Sequence, residues 1–377
     1  MTTTRPKNLN LDELSVPERL LLGPGPSNAD PRVRQAMSLP LVGHLDPYFL
    51  QVMDRIQELL RYTFETANPL TLAVPGTGTA AMEAAVANLV EPGDPVLVCV
   101  NGYFGGRIAE MARRYGGEVR LLNCPWGEVF SPEEVQTALA GRRARVVALV
   151  HAETSTGALQ PLEAISEVVH ANGALLLVDA VTSLGGVPVR VDELGLDACY
   201  SGAQKCLSCP PGMSPLTFSA DAAAALARRR APVGNFYLDL SLLRKYWGPE
   251  RAYHHTAPIS NAYGLLEALR LVAKEGLQAR WARHQQNAQR LWDGLEALGL
   301  SLHVPEEHRL PTLTTVRIPE SADDGAVRRR LLEDFNIEIG GGLGELKGQV
   351  WRIGLMGYNA RPEAVDRLLE ALKSILA

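Results

Sequence analysis

Much that marks a protein's location or partners is missing from this sequence of 377 residues. The opening stretch, MTTTRPKNLNLDELSVPERL, has neither an apolar signal-peptide segment nor a small-residue cleavage site, so it reads as a polar arm. No apolar run approaches the ~20 residues of a membrane span, and no membrane partner is expected. The ending LKSILA is not the peroxisomal tripeptide, which leaves the cytoplasm as the expected compartment. With 37 basic and 42 acidic side chains the net charge is -5, so no positive field favours nucleic acid. Cysteines number five (Cys99, Cys124, Cys199, Cys206, Cys209), an odd count that suits reduced thiols better than a disulfide framework. Repeats and low-complexity tracts are absent.

What is present suits a globular chain of about two domains, at 46% hydrophobic and 21% charged residues. From about residue 70, short apolar runs (LTLAV, PVLVCV, RVVALVH, ALLLVDA) alternate with helical stretches. Runs apolar on both faces are those of parallel strands covered on two sides, so the fold class is α/β with a doubly wound, mostly parallel sheet. SPEEVQTALAG places Ser131, Pro132 and Glu134 as a helix start, and EVVHANG ends at Asn172 and Gly173. After DACYSG the alternation breaks, and the next strand, SPLTFS, follows across only a loop. Two long helices come next, the second from about Leu277 to Leu298. Short strands (LTTVRIP, NIEIG, VWRIGL) and two helices then read as a smaller α+β domain. The expected division is an arm at 1–17, a large domain at 18–279 and a small C-terminal domain at 280–377.

Four places carry candidate chemistry. LTLAVPGTGTAAMEAAVANL reads as strand, glycine loop and helix, where Thr77, Gly78 and Thr79 would hold a phosphate. It also fits a dinucleotide fingerprint or a plain turn, but the next strand ends LVCVNGYFGG without the acid that a dinucleotide ribose needs. Asp179 ends an apolar strand, either as a site carboxylate or as a turn cap. Lys205, in YSGAQKCLSCPPG, follows a buried strand with no carboxylate beside it; it is either a low-pKa nucleophile or a lysine reaching solvent. Cys206 and Cys209 form a Cys-x-x-Cys pair, yet no second pair supplies the four ligands of a structural metal site, so no metal is expected. Arg352, inside the strand VWRIGL, would grip a substrate carboxylate or make a structural ion pair.

A phosphate cup, a strand-end aspartate and a low-pKa lysine in this order suit pyridoxal phosphate. From LLGPGPSNADP through GHLDP, GTGTAAMEA, ETSTGALQPL, VDAVTSLGG, YSGAQKCLSCPPG and YHHTAP to GGLGELKGQVWRIGLMGYN, the chain resembles the alanine–glyoxylate and serine–pyruvate aminotransferases of class V, fold type I. The resemblance runs nearly end to end. It implies that Lys205 links to the cofactor aldehyde and serves as general acid and base, and that Asp179 pairs with the pyridine nitrogen. Thr77, Gly78, Thr79 and Gln204 would bind the phosphate and Thr154 the phenolate oxygen, with Phe104 stacked on the ring and Val181 behind it. Tyr253 and Thr256 would reach the partner subunit's cofactor in a homodimer with shared active sites. Arg352 would clamp the substrate carboxylate, with Gly43 near the same pocket.

The chain has Phe104, Thr79 and Thr154 where the animal peroxisomal members have tryptophan, histidine and serine. The resemblance implies ping-pong transfer from alanine or serine to glyoxylate or pyruvate. No second cation is assigned to a side-chain carboxylate, so small monocarboxylic amino acid and 2-oxo acid substrates are expected. The alternative is a lyase or cysteine desulfurase-like enzyme of the same fold, with Cys206 or Cys209 as nucleophile.

Overall fold

The computed structural model describes residues 12–376, so the first eleven residues of the expected arm lie outside the described part. Seven strands build the main sheet: β1 (Leu70–Gly76), β2 (Pro95–Val100), β3 (Glu118–Asn123), β4 (Val146–Val150), β5 (Leu175–Asp179), β6 (Ala198–Tyr200) and β7 (Gly212–Phe218). Their spatial order is β1-β7-β6-β5-β4-β2-β3. β7 alone runs antiparallel, to both β1 and β6, and the remaining pairs are parallel.

The apolar runs fold as expected because they are covered on both faces: every residue of β4 is buried. β3 has no such run. It is an edge strand with Leu121 exposed, and one-sided burial leaves its sequence, EVRLLN, without a strand signature. Helix α1 (Gly78–Leu89) follows β1, and α2 (Tyr103–Arg114) follows β2. The Ser131 helix start is a complete capping box, with Ser131 accepting from the Glu134 N–H and the Glu134 side chain accepting from the Ser131 N–H. Asn172 caps the end of its helix, and Gly173 follows at φ 75°.

A second core forms around three antiparallel strands, β8 (Leu313–Arg317), β9 (Gly340–Gly341) and β10 (Val350–Gly354), with β10 in the middle. Trp351 and Ile353 of β10 pack there with Leu368 and Leu372 of the last helix, Pro362–Leu376. The short strand Leu20–Leu21 pairs in parallel with Ile337–Glu338, and Leu20 and Leu22 join this core. Residues 20–22 are thus stitched to the last third of the chain, a contact that no local pattern announces. Helix α3 (Leu277–Ala297) connects the two cores, with Leu277 in the first and Leu291 and Leu295 in the second.

The carboxyl ends of β1, β4, β5 and β6 open on one crevice, where open α/β sheets carry their ligands. The loop from β6 to β7 closes it from one side, and β10 faces it from the second core.

Leu22 is fully buried and Leu14 is 91% exposed. Leu22→Ala is expected to cost about 2–5 kcal/mol, and Leu14→Ala close to nothing. Thermal and denaturant midpoints of the two variants check this; equal midpoints would contradict the stitching role of residues 20–22.

Candidate active site

Lys205 sits in the loop after β6, 8% exposed, and its Nζ donates to the Pro24 carbonyl. The turn Gly23–Ser27 lies across it. The Ser27 N–H donates to the Gln204 carbonyl (2.9 Å) and the Ser27 hydroxyl to the Lys205 carbonyl (2.9 Å). Gly25 has φ +114°, and a Cβ there would stand 2.7 Å from Lys205 Nζ, so only glycine allows this approach. Burial lowers the amine to about 8, with Cys206 opposing the shift and the Arg352 charge adding to it. The lysine does not reach for solvent. Sequence reasoning gave no role to Pro24, Gly25 or Ser27, although Gly-Pro-Gly-Pro is a strong turn signal.

Asp179, 2% exposed, ends β5 opposite Tyr200 of β6. One carboxylate oxygen accepts from the Val181 N–H (2.8 Å) and the other from the Tyr200 hydroxyl (2.9 Å). It therefore caps its own turn and also faces the crevice. Burial pushes its carboxyl up to about 7, against the pull of the Val181 and Tyr200 hydrogen bonds. Tyr200 was missed because its partner lies across the sheet, 21 residues away.

The β1–α1 turn needs Gly76, at φ +131°, where a Cβ would stand 2.6 Å from that of Ala80. Thr77 is the N-cap and makes no side-chain capping bond, so its hydroxyl is left for another acceptor. The first-turn N–H groups lack helical partners, as at any helix start. Gln204 has a buried side-chain oxygen with no partner. Oxygen and nitrogen of an amide are interchangeable by a flip, so this place suits an anion facing the Gln204 nitrogen.

Thr154 Oγ1 lies 2.5 Å from Thr182 Oγ1. Arg352, 6% exposed, donates from Nη1 to the Thr154 carbonyl (3.1 Å) and from Nε to the Gly341 carbonyl (2.8 Å). It has no carboxylate ion pair among the described residues, which removes the structural ion pair as its role. Burial lowers it to about 10, with the Glu153 charge opposing. It keeps donors to spare for a substrate.

Most of these groups meet around a cavity of about 150 Å³, whose lining includes neither Thr77 nor Arg352. Lys205, Asp179, Gln204 and Thr154 line it, as do Gly78, Thr79, Phe104 and Val181. Arg107 also lines it, a second cation that the motifs did not reveal. Buried Glu153 supports the wall from behind, accepting from the N–H groups of Phe104 (3.2 Å) and Gly105 (3.4 Å) at the start of α2. Tyr253, Thr256 and Gly43 do not line this cavity. All three are exposed, and the rings of His44 and Tyr253 lie 5.4 Å apart on the same outer surface.

Both thiols of the Cys-x-x-Cys pair are buried and absent from the cavity wall. Cys206 donates to the Thr182 carbonyl (3.4 Å), and burial pushes Cys206 up to about 11 and Cys209 up to about 12. Such thiols are poor nucleophiles. No group of three or more His, Cys, Asp or Glu side chains among the described residues could hold a metal.

Residues 31–368 match the family Aminotransferase class-V. The chain belongs to that family. A solved alanine–glyoxylate aminotransferase from Nostoc sp. is 62% identical, with a TM-score of 0.97 over 98% of each chain. Alanine–glyoxylate aminotransferase of Rattus norvegicus is 46% identical over 96% of this chain and 89% of the rat enzyme. The (S)-ureidoglycine–glyoxylate transaminase of Bacillus subtilis is 41% identical over 97% and 92%. As a class-V aminotransferase this chain is pyridoxal phosphate-dependent and has fold type I. The residues fit that cofactor: an amine held near neutrality, a buried carboxylate, and an unpartnered amide beside a helix start.

Because the Asp179 carboxyl keeps its proton up to about 7 when folded, and releases it near 3.8 when unfolded, the ligand-free protein should lose stability from this group across that interval. Above it the loss is complete. The class-V aminotransferase with Asp179→Asn, stripped of cofactor, should gain in melting temperature relative to wild type as pH rises from about 4 to 7. A difference that does not vary with pH would contradict the assignment.

Proposed function

We propose that this enzyme transfers the amino group of alanine or serine to glyoxylate or pyruvate in a ping-pong cycle. The observation that carries this reading is the buried Arg352 guanidinium, unpaired by any described carboxylate, bonded to the Thr154 carbonyl behind the cavity that Thr154, Lys205 and Asp179 line. Bound pyridoxal phosphate supplies an aldehyde that holds the amino group and a ring that accepts electrons from the substrate α-carbon. Lys205, whose amine burial lowers to about 8, would be the base that takes the substrate α-proton and the acid that returns it, in both halves of the cycle. Asp179 keeps the proton on the pyridine nitrogen. Thr154 would hold the phenolate oxygen, Phe104 and Val181 would lie against the ring, and Thr77, Gly78, Thr79 and Gln204 would hold the phosphate. Arg352 binds the carboxylate of either substrate.

The resemblance, with Tyr253, Thr256 and Gly43 outside their own protomer's cavity, supports a homodimer in which the first two complete the partner's cofactor site. Leu41, Leu45, Phe236, Tyr237 and Tyr253 are exposed apolar or aromatic side chains, an unusual cost for a monomer surface. We place the working division at the two cores, with residues 20–22 joining the small C-terminal unit, and the location in the cytoplasm. Among the described residues no helix is long and apolar enough to cross a membrane. The desulfurase-like alternative lacks a thiol at the cavity.

The purified enzyme should show a visible band that borohydride removes, and should convert alanine or serine with glyoxylate or pyruvate without releasing sulfide from cysteine. Sulfide release, or full transfer by Lys205→Ala, would overturn the reading. Coexpressing Lys205→Ala with Tyr253→Phe/Thr256→Val, each weak alone, should restore about one quarter of wild-type activity by random pairing of subunits. No restoration would argue against shared sites.

A further inference from the structure

Arg107 has no role in the account so far, yet its surroundings are unusual for a cation. It lies on α2 one turn beyond Phe104 and lines the same cavity as Lys205. Its Nη1 donates to Thr79 Oγ1 at 3.2 Å. Its guanidinium lies 5.0 Å from the centre of the Phe104 ring and 5.2 Å from that of Tyr103. No carboxylate among the described residues pairs with it, although Glu110 on the same helix pairs with Arg114.

A guanidinium carries five N–H donors and always a charge. Only one donor is used here, and it goes to a hydroxyl. Cation–π contact with two rings set nearly at right angles (82°) restricts the group and lowers the entropy lost when it binds a ligand. Thr79, as the acceptor of Arg107, keeps its own hydroxyl hydrogen free for an oxygen in the cavity. The unused donors of Arg107, the Thr79 hydroxyl and the first turn of α1 thus stand together, and all of them call for an oxyanion. Arg352 does not line this cavity and is tied to the Thr154 carbonyl and to β9.

We propose that Arg107 is a direct ligand of the cofactor phosphate, acting with Thr79, and is not a second clamp for a substrate carboxylate. This deepens the proposed site and rests on its assignment of the phosphate to the start of α1. Arg107 sets how tightly the cofactor is retained, while substrate choice stays with Arg352. The Phe104 ring is held by the same contact, so phosphate binding and ring stacking are coupled through one side chain.

The test compares pyridoxal phosphate with pyridoxal, which lacks only the phosphate, binding to cofactor-free wild type, Arg107→Gln and Arg107→Lys by fluorescence titration. A charge-assisted arginine–phosphate contact predicts that Arg107→Gln weakens pyridoxal phosphate about 10- to 100-fold. Pyridoxal affinity should stay within about twofold, as only the anion contact is lost. Arg107→Lys should recover part of the loss, since it keeps the charge without the fork. Unchanged pyridoxal phosphate affinity would overturn the proposal. So would an equal loss for both ligands, which would mean structural damage, or a change confined to KM for aspartate or glutamate, which would mean a carboxylate clamp. Failure of the wider site reading would show separately, as unaltered aldehyde capture by Lys205→Ala.

Discussion

The structure turns on a lysine amine kept out of water without a carboxylate in contact. Lys205 Nζ donates to the Pro24 carbonyl, and burial lowers its affinity for a proton to about 8. An ammonium in that place would lose its hydration with little return, whereas a neutral amine loses far less. The surrounding architecture follows from this one constraint. The Gly23–Ser27 turn must cover the amine, Gly25 must lack a side chain, and the chain before that turn is anchored in the second core through Leu20 and Leu22. Covering the lysine is therefore a task shared by both cores.

Asp179 is subject to the same burial with the opposite sign. Lys205 is pressed toward neutrality, and so is the Asp179 carboxyl, held up to about 7. In the proposed site a cationic pyridine nitrogen beside Asp179 would reverse this, because an opposite charge within reach favours the carboxylate. The cofactor would thereby supply the counter-charge that the fold withholds. Tyr200 and the Val181 N–H hold the carboxylate in orientation from two sides, so little movement is needed for that pairing.

Much of this was legible in the sequence, and unevenly so. The central strands were readable because burial on both faces leaves continuous apolar runs, while edge strand β3 was hidden by its exposed face. Lys205, Asp179 and the β1–α1 turn stood out because each breaks an apolar pattern at a point where a polar group must have a purpose. Residues acting through long-range contacts gave no such sign. Tyr200 reads as one more strand aromatic, Glu153 as part of a loop, and Arg107 as an ordinary helical surface arginine. The pairing of Leu20–Leu21 with Ile337–Glu338 spans most of the chain and has no local signature. The cysteines, expected as reduced thiols without a metal, are buried: Cys206 and Cys209 pack beneath the lysine loop.

The central claim is that burial makes Lys205 a nucleophile near neutral pH. The direct measurement is the pH dependence of aldehyde capture by Lys205 in cofactor-free enzyme, corrected against the same aldehyde with a free amine. The account predicts a midpoint near 8, with the rate falling about tenfold per pH unit below it, because only the neutral amine attacks. A midpoint near the ordinary lysine value of about 10.4 would contradict it.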